Sequence, residues 1–449
     1  MAEALGEVKT PLRVLDLALA DDWKVALLKE LEAGEPIAIG ISVRNTDDCS
    51  FITQKSFLPW ITDVVEEVRY YCNSPIILGG PGFSVMPEAI LRLTKADIGI
   101  IGDAEEAMLA LVNRLMVKND YRDLANLIFK NGDEVIRNKV VFGELASSPL
   151  PGRRMFDNKK YQDLGAMVGV ETKRGCPGKC VYCADPVIKG KQIRLRPHKL
   201  VVDELKDLID QGVSWFHLCD SEFNIPITHA KELCRAIIDS GLSSKVNWYC
   251  YCSPVPFDFE LAGLMHQAGC KGVNFGVDSL SDVQLLRLGR EHNLDSVKTL
   301  VNVLNKQGLN YIFDLLVGGP GETEATIKES ILGIKNLGVP LSGVSIGIRV
   351  YPGTYLARAL SHGFSKDGLY PSDANYYDPT FFVSPYLENE ALKITQHIIG
   401  DDSRFLLLSN PAEQGSYNYA DDEYLSEIIK TGERGAYWDI ISRDKIHRR

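Results

Sequence analysis

The stretch RGCPGKCVYCADP, residues 174–186, sets Cys176, Cys180 and Cys183 at the spacing Cys-x3-Cys-x2-Cys. Random scatter of the chain's ten cysteines would give about 0.005 such triplets, so the spacing is no accident. A disulfide would use two thiols and strand the third. A structural zinc site would need a fourth ligand, and the nearest candidates are His198 and Cys219. Three thiolates on an iron–sulfur cluster, with one iron left open to an outside ligand, fit the pattern best. A structural metal remains the alternative.

Around this loop the chain alternates strand and helix patterns. From about Ala166, GAMVGVETKRG leads into the cysteines, and VSWFHLCD (213–220), KVNWYCYC (245–252), KGVNFGVD (271–278), LNYIFDLLVGG (309–319) and SGVSIGIRVYPG (342–353) read as further strands with helices between them. Five or six such units predict a partial parallel (β/α)6 barrel over residues 166–363, with the chemistry at the C-terminal strand ends. Upstream, residues 1–145 read as a separate doubly wound α/β sheet. Its strands are PIAIGISV (36–43), SPIILGG (74–80) and DIGIIGD (97–103), followed at their carboxyl ends by RNTDDCS, GGPGFS and GD. Residues 146–165, with two prolines and no periodicity just upstream and within, read as a linker. Residues 364–449 read as a small C-terminal subdomain. It opens on the aromatic run YPSDANYYDPTFFVSPY (370–386), a candidate cap for the active-site mouth, although packing is the simpler role for those rings.

With 45% hydrophobic and 24% charged residues, the composition is that of a soluble globular protein. A formal net charge of -11 argues against nucleic acid as the main partner. No apolar run is long enough to span a membrane. No basic-then-apolar leader pattern opens the sequence. Ten scattered cysteines in a chain of this length point to reduced thiols and a cytoplasmic location.

The cysteine loop, with Tyr182 before the last cysteine, resembles the signature of the radical S-adenosylmethionine superfamily. That resemblance implies that Cys176, Cys180 and Cys183 hold a [4Fe–4S] cluster, with S-adenosylmethionine chelating the fourth iron. It also implies further contacts to S-adenosylmethionine. Tyr182 lies in the loop, and CDSEFN (219–224) nominates Asp220 and Glu222. GVDS (276–279) nominates Asp278 and Ser279, and the glycine-rich LLVGGPGET (315–323) nominates Gly318 and Gly319.

The first domain resembles the Rossmann-like cobalamin-binding domain that precedes the barrel in class B radical enzymes. On GGPGFSVMPEAI (79–90) the matching residues are Gly79, Gly80, Gly82, Ser84 and Glu88. The first histidine of the chain is His198, so this domain offers no imidazole to cobalt. SVRNTDD (42–48) is similar to the radical methylases in which a non-coordinating side chain lies under the corrin. Arg44 is the candidate there, with Asn45 and Thr46 beside it; its alternative is a surface ion pair with Asp47 or Asp48.

The resemblance implies a cobalamin-dependent radical methyltransferase acting on a carbon of a small metabolite or of a peptide, such as a glutamine α-carbon. An electron donor of the ferredoxin or flavodoxin type would serve it. The alternatives are a cobalamin-dependent cyclisation or rearrangement, and a non-catalytic corrinoid carrier. A methylthiotransferase would need a second cysteine triplet, yet only Cys49 and Cys72 precede the loop.

Overall fold

A computed structural model describes residue 5 and residues 11–147, 152–362, 367–371, 378–387, 389–407 and 423–447. The N-terminal sheet has the order β1 (Ile39–Ser42), β2 (Ile76–Gly79), β3 (Ile98–Ile100), β4 (Leu127–Asn131), β5 (Glu134–Arg137). β1 to β3 are parallel, and β2 is buried along its whole length because helices cover both faces of the sheet. These strands advance in one direction, so right-handed crossovers place helices Leu58–Tyr71 and Pro87–Thr94 on the same face. Helix Glu105–Met116 covers the other face, over Ile77, Ile98 and Ile100. The sheet thus departs from the doubly wound pattern predicted for it. Instead of reversing its strand order it finishes in the antiparallel pair β4–β5. The two-residue turn there is Gly132-Asp133, with Gly132 at φ 63°, a left-handed value that hairpin turns of this length require at their first position.

The second body begins with β6 (Val168–Val170), followed by a ribbon of β7 (Lys173–Arg174) and β8 (Arg194–Leu195). Then come β9 (Trp215–Leu218), β10 (Asn247–Cys252), β11 (Cys270–Asp278), β12 (Tyr311–Val317) and β13 (Ser342–Ile346). A small sheet is built from β14 (Ile348–Arg349), β15 (Leu369–Tyr370) and β16 (Phe381–Phe382). β17 (Phe405–Leu407) pairs with β13. The large sheet therefore runs β6-β9-β10-β11-β12-β13-β17, parallel throughout. Six strands and their outer helices form the partial barrel, and the C-terminal region contributes a seventh strand to it. Val273, Phe275 and Val277 on β11 face the helices, so Asn274, Gly276 and Asp278 face the lumen by strand alternation.

Helix Tyr437–His447 closes the lumen at the amino ends of the strands. Trp438 Nε1 donates to Asn274 Oδ1 (2.7 Å), while Tyr249 Oη and Asn310 Nδ2 both donate to Asp439 (2.5 Å each). Among the described residues of the aromatic run, packing is what is seen. Phe381 and Phe382 are buried in the small sheet, and Phe51 packs edge-on against Tyr370 and Phe381. Tyr376 and Tyr377 lie outside the described residues.

The carboxyl ends of the two sheets meet. Asp47, just after β1, accepts from Arg349 Nε (3.0 Å) and Nη2 (2.8 Å) and from Thr46 Oγ1 (2.9 Å); the ion pair is almost fully buried. Burial pushes the Asp47 carboxyl up, but Arg349 outweighs it and holds the group below its ordinary range. Asp103, after β3, pairs with Arg194 and with Arg174 Nη1 (3.3 Å). Arg349→Met should cost about 3–5 kcal/mol at pH 7 by urea denaturation, because it leaves an unpaired buried carboxylate. Since Asp47 titrates low in the folded wild type, its contribution is present above about pH 4 and disappears as pH falls through the folded value. The double variant Asp47→Asn/Arg349→Met should recover part of the loss.

Candidate radical and corrin site

The cysteine loop is shaped by two glycines. A Cβ on Gly175 (φ 93°) would lie 2.0 Å from the Gln192 carbonyl oxygen. A Cβ on Gly178 would lie 3.2 Å from Cys176 Sγ and 3.9 Å from Cys180 Sγ, so glycine leaves the space between those thiols free. The backbone then pins the loop: Val181 N–H donates to the Leu288 carbonyl (3.0 Å), and Leu356 N–H to that of Val181 (2.8 Å). All three cysteines are half-buried, and burial pushes their thiols up.

Among the described residues no three His, Cys, Asp or Glu side chains converge on one metal ion. A cluster spreads its thiolates over separate irons. The two distant candidates for a fourth zinc ligand are also engaged elsewhere. His198 Nε2 lies 2.9 Å from His229 Nδ1, and Cys219 Sγ lies against His217. The donor set fits a cluster with an open corner.

Arg290 organises the wall beside the loop, and nothing in the local sequence announced it. Its Nη1 is 3.1 Å from Cys180 Sγ, its Nε 3.4 Å from Asp278 and its Nη1 3.8 Å from Glu222. Tyr182 Oη donates to Asp278 Oδ2 (2.5 Å). Asp278 sits at a bulge ending β11 with φ 61°, a strained value for a non-glycine residue, and this turns its carboxyl toward Tyr182 and Arg290. Tyr182, Asp278 and Glu222 thus gather around the cysteines. Burial raises Glu222 to about 7 against the pull of Arg290.

The other residues nominated for S-adenosylmethionine make these contacts within the chain. Asp220 is buried and takes N–H donors from Thr172 (2.8 Å) and Lys173 (3.2 Å), the Thr172 hydroxyl, and Lys173 Nζ (2.9 Å). Ser279 is fully buried against Ser330 Oγ (2.8 Å). Gly318 and Gly319 give their N–H groups to Glu322 (2.5 and 3.0 Å). Their close approach is to Gly347 and Gln284 of the chain itself.

In the first domain, a Cβ on Gly80 would meet the Val43 carbonyl oxygen at 2.6 Å, and one on Gly82 would meet Arg44 and Asn45 backbone at 3.0 Å. These glycines let the second strand-end loop nest under the first. Ser84 Oγ joins Gly80 O (2.9 Å) to Gly102 N (3.0 Å), tying in the third loop. Gly79 ends β2, paired with Ser42. Glu88 lies away from this nest, in an ion pair with Arg137 (3.1 Å). Thr46 is buried on Asp47, while Arg44 and Asn45 are exposed. Asp47 belongs to Arg349 and Asp48 to Thr53, so the surface pair considered for Arg44 does not form. Arg44 makes no hydrogen bond or ion pair among the described residues, and its charge reaches His217 and Cys219 at the end of β9.

Below Arg44 the lumen carries His217, Tyr251, Asn274 and Asp314, which the sequence patterns concealed as ordinary strand positions. Tyr251 is 44% exposed despite its place in a central strand. Asp314 accepts from Asn274 Nδ2 (3.3 Å) and has no cationic partner; burial raises it to about 7. Burial lowers His217 to about 4, so it is neutral at pH 7.

Known proteins agree with this arrangement. Residues 170–332 match the Radical SAM superfamily model. Tryptophan 2-C-methyltransferase of Streptomyces laurentii is 29% identical over 411 residues, covering 78% of this chain and 69% of that protein. The radical S-adenosylmethionine methyltransferase TsrM of Kitasatospora setae, solved with tryptophan and an aza analogue of S-adenosylmethionine, superposes with TM-score 0.90 at 27% identity. That superposition covers 100% of this chain and 95% of the other. The cobalamin-dependent enzyme OxsB shares the fold at TM-score 0.70 and 16% identity, over 85% of this chain and 60% of its own. Residues 170–332 thus match a radical S-adenosylmethionine domain, and the whole chain shares the fold of a radical S-adenosylmethionine methyltransferase solved with cobalamin and a [4Fe-4S] cluster, at TM-score 0.89 and 26% identity.

Asp314 gives a pH test. Its folded value of about 7 exceeds that of an unfolded carboxyl, so stability should fall as pH rises from about 4 to 7 and stay lower above. Asp314→Asn should flatten that segment and raise the melting temperature at pH 8 relative to wild type.

Proposed function

We propose that the chain methylates a carbon of a small nitrogen-bearing metabolite of the tryptophan type, held in the barrel lumen. The observation that carries this reading is Asp314: a carboxyl with no cationic partner among the described residues, buried beside Asn274 and Tyr251. Such a group suits a ligand N–H or ammonium, since an unpaired buried carboxyl gains most from a charge-assisted hydrogen bond. The floor formed by Trp438 and Tyr249 favours a compact acceptor over a protein segment. The relatives that methylate tryptophan support the same class.

Cys176, Cys180 and Cys183 would hold the cluster, and Arg290 offsets thiolate charge at Cys180. Tyr182, Asp278 and Glu222 border the open corner. Arg44 would be the side chain beside the corrin; a guanidinium has no lone pair to offer a metal, so this residue would not ligate cobalt. When bound, S-adenosylmethionine, the cluster and cobalamin supply the methyl group and its passage to the acceptor. Ten free cysteines suit a reducing compartment such as the cytoplasm.

The test is anaerobic reconstitution with iron, sulfide and hydroxocobalamin, then incubation with S-adenosylmethionine and tryptophan or indole analogues. A product heavier by one methylene unit is expected. Iron uptake without corrin, or an acceptor of unchanged mass across the indole series, would overturn the reading. Asp314→Asn should weaken acceptor binding about tenfold or more, a hydrogen bond to a charged group being worth ~1.5–3 kcal/mol.

A further inference from the structure

The outer face of the cysteine loop, away from the lumen, carries cations that nothing in the chain uses. Lys179 stands exposed between Cys176 and Cys180. Helix Tyr355–Ser361 abuts the loop through the Leu356-to-Val181 hydrogen bond. On its surface, Lys191 Nζ lies 3.3 Å from Tyr355 Oη and 5.4 Å from the ring centroid, and Arg358 Cζ lies 4.6 Å from the same ring. Tyr355 is 40% exposed. None of Lys179, Lys191 or Arg358 meets a carboxylate among the described residues, although the chain's net charge is -11 and most of its basic clusters are paired. The phenol of Tyr355 is pulled below its usual range, chiefly by Lys191, with Arg358 and Lys179 adding to the same positive field. Beside this patch, helix Asp282–Leu288, whose last carbonyl receives Val181 N–H, exposes 79% of Leu286.

We propose that this patch is the docking surface for a small acidic one-electron carrier protein of the flavodoxin type, which delivers electrons to the loop. The inference rests on the cluster reading of Cys176, Cys180 and Cys183. Complementary charge would steer the carrier, and Tyr355 and Leu286 would give the transient contact its apolar centre. The geometry suits electron entry: Lys179 is adjacent in sequence to Cys180, whereas the other side of the loop faces the lumen.

The test uses the reconstituted holoenzyme and a purified flavodoxin. Calorimetry with oxidised flavodoxin reports binding without turnover, and bleaching of cluster absorbance reports electron transfer from reduced flavodoxin or from titanium(III) citrate. In Lys179→Glu/Lys191→Glu/Arg358→Glu, binding and flavodoxin-driven reduction should each fall about tenfold or more, with iron content and titanium-driven reduction unchanged. Lys191→Glu/Arg358→Glu, which leaves the loop intact, should shift both in the same direction, and wild-type rates should fall as salt rises. Equal flavodoxin rates in wild type and both variants would overturn the proposal, as would wild-type protein that binds a short RNA but not flavodoxin. Methyl transfer driven by titanium(III) citrate tests the proposed reaction separately.

Discussion

Two carboxylates, Asp47 buried and Asp103 partly buried, hold the molecule's working parts in register. Asp47 and Asp103 end neighbouring turns of the first sheet, and each is met by arginines from the barrel: Arg349 in one case, Arg174 and Arg194 in the other. A buried charge of either sign is expensive alone, so the sheets cannot slide without exposing an unpaired ion. Arg174 also begins the sequence that presents the cysteines. One ionic contact therefore sets the distance between the corrin-side loops and the cluster loop.

That constraint explains why Arg44 can remain without a partner. It lies three residues before Asp47, on a turn fixed from below by Gly82 packing against its backbone. The side chain is held over the lumen by its neighbours, with its own donors free. Arg290 shows the complementary arrangement: every nearby acceptor competes for it, so Cys180, Asp278 and Glu222 share one positive charge. The free cation reaches from the first domain toward the barrel, and the shared one lies beside Cys180.

Much of this was legible in the residues. The cysteine spacing carries its chemistry locally, and the barrel strands and the helix Leu58–Tyr71 fall where period-two and period-3.6 patterns place them. What escaped was pairing in space. Asp220 and Ser279 look like exposed strand-end ligands, but folding brings Thr172 and Lys173 onto the one and Ser330 onto the other. Glu88 sits in a matching motif, yet its helical position turns it outward to Arg137. Asp314 is one polar residue inside an apolar strand, and only closure of the sheet shows that it faces the lumen. The β4–β5 hairpin turns at Gly132-Asp133 and was obscured by the regular βα alternation before it.

The floor of the lumen has a temporal consequence. Asp439 closes on Tyr249 from 190 residues further along the chain, and Trp438 reaches back to Asn274 over a similar interval. During synthesis the barrel strands emerge long before their stopper. Until it arrives, Tyr249 and Ile312 lack the neighbours that bury them at the base of the lumen. Closure of that base is therefore a late event on any vectorial folding route.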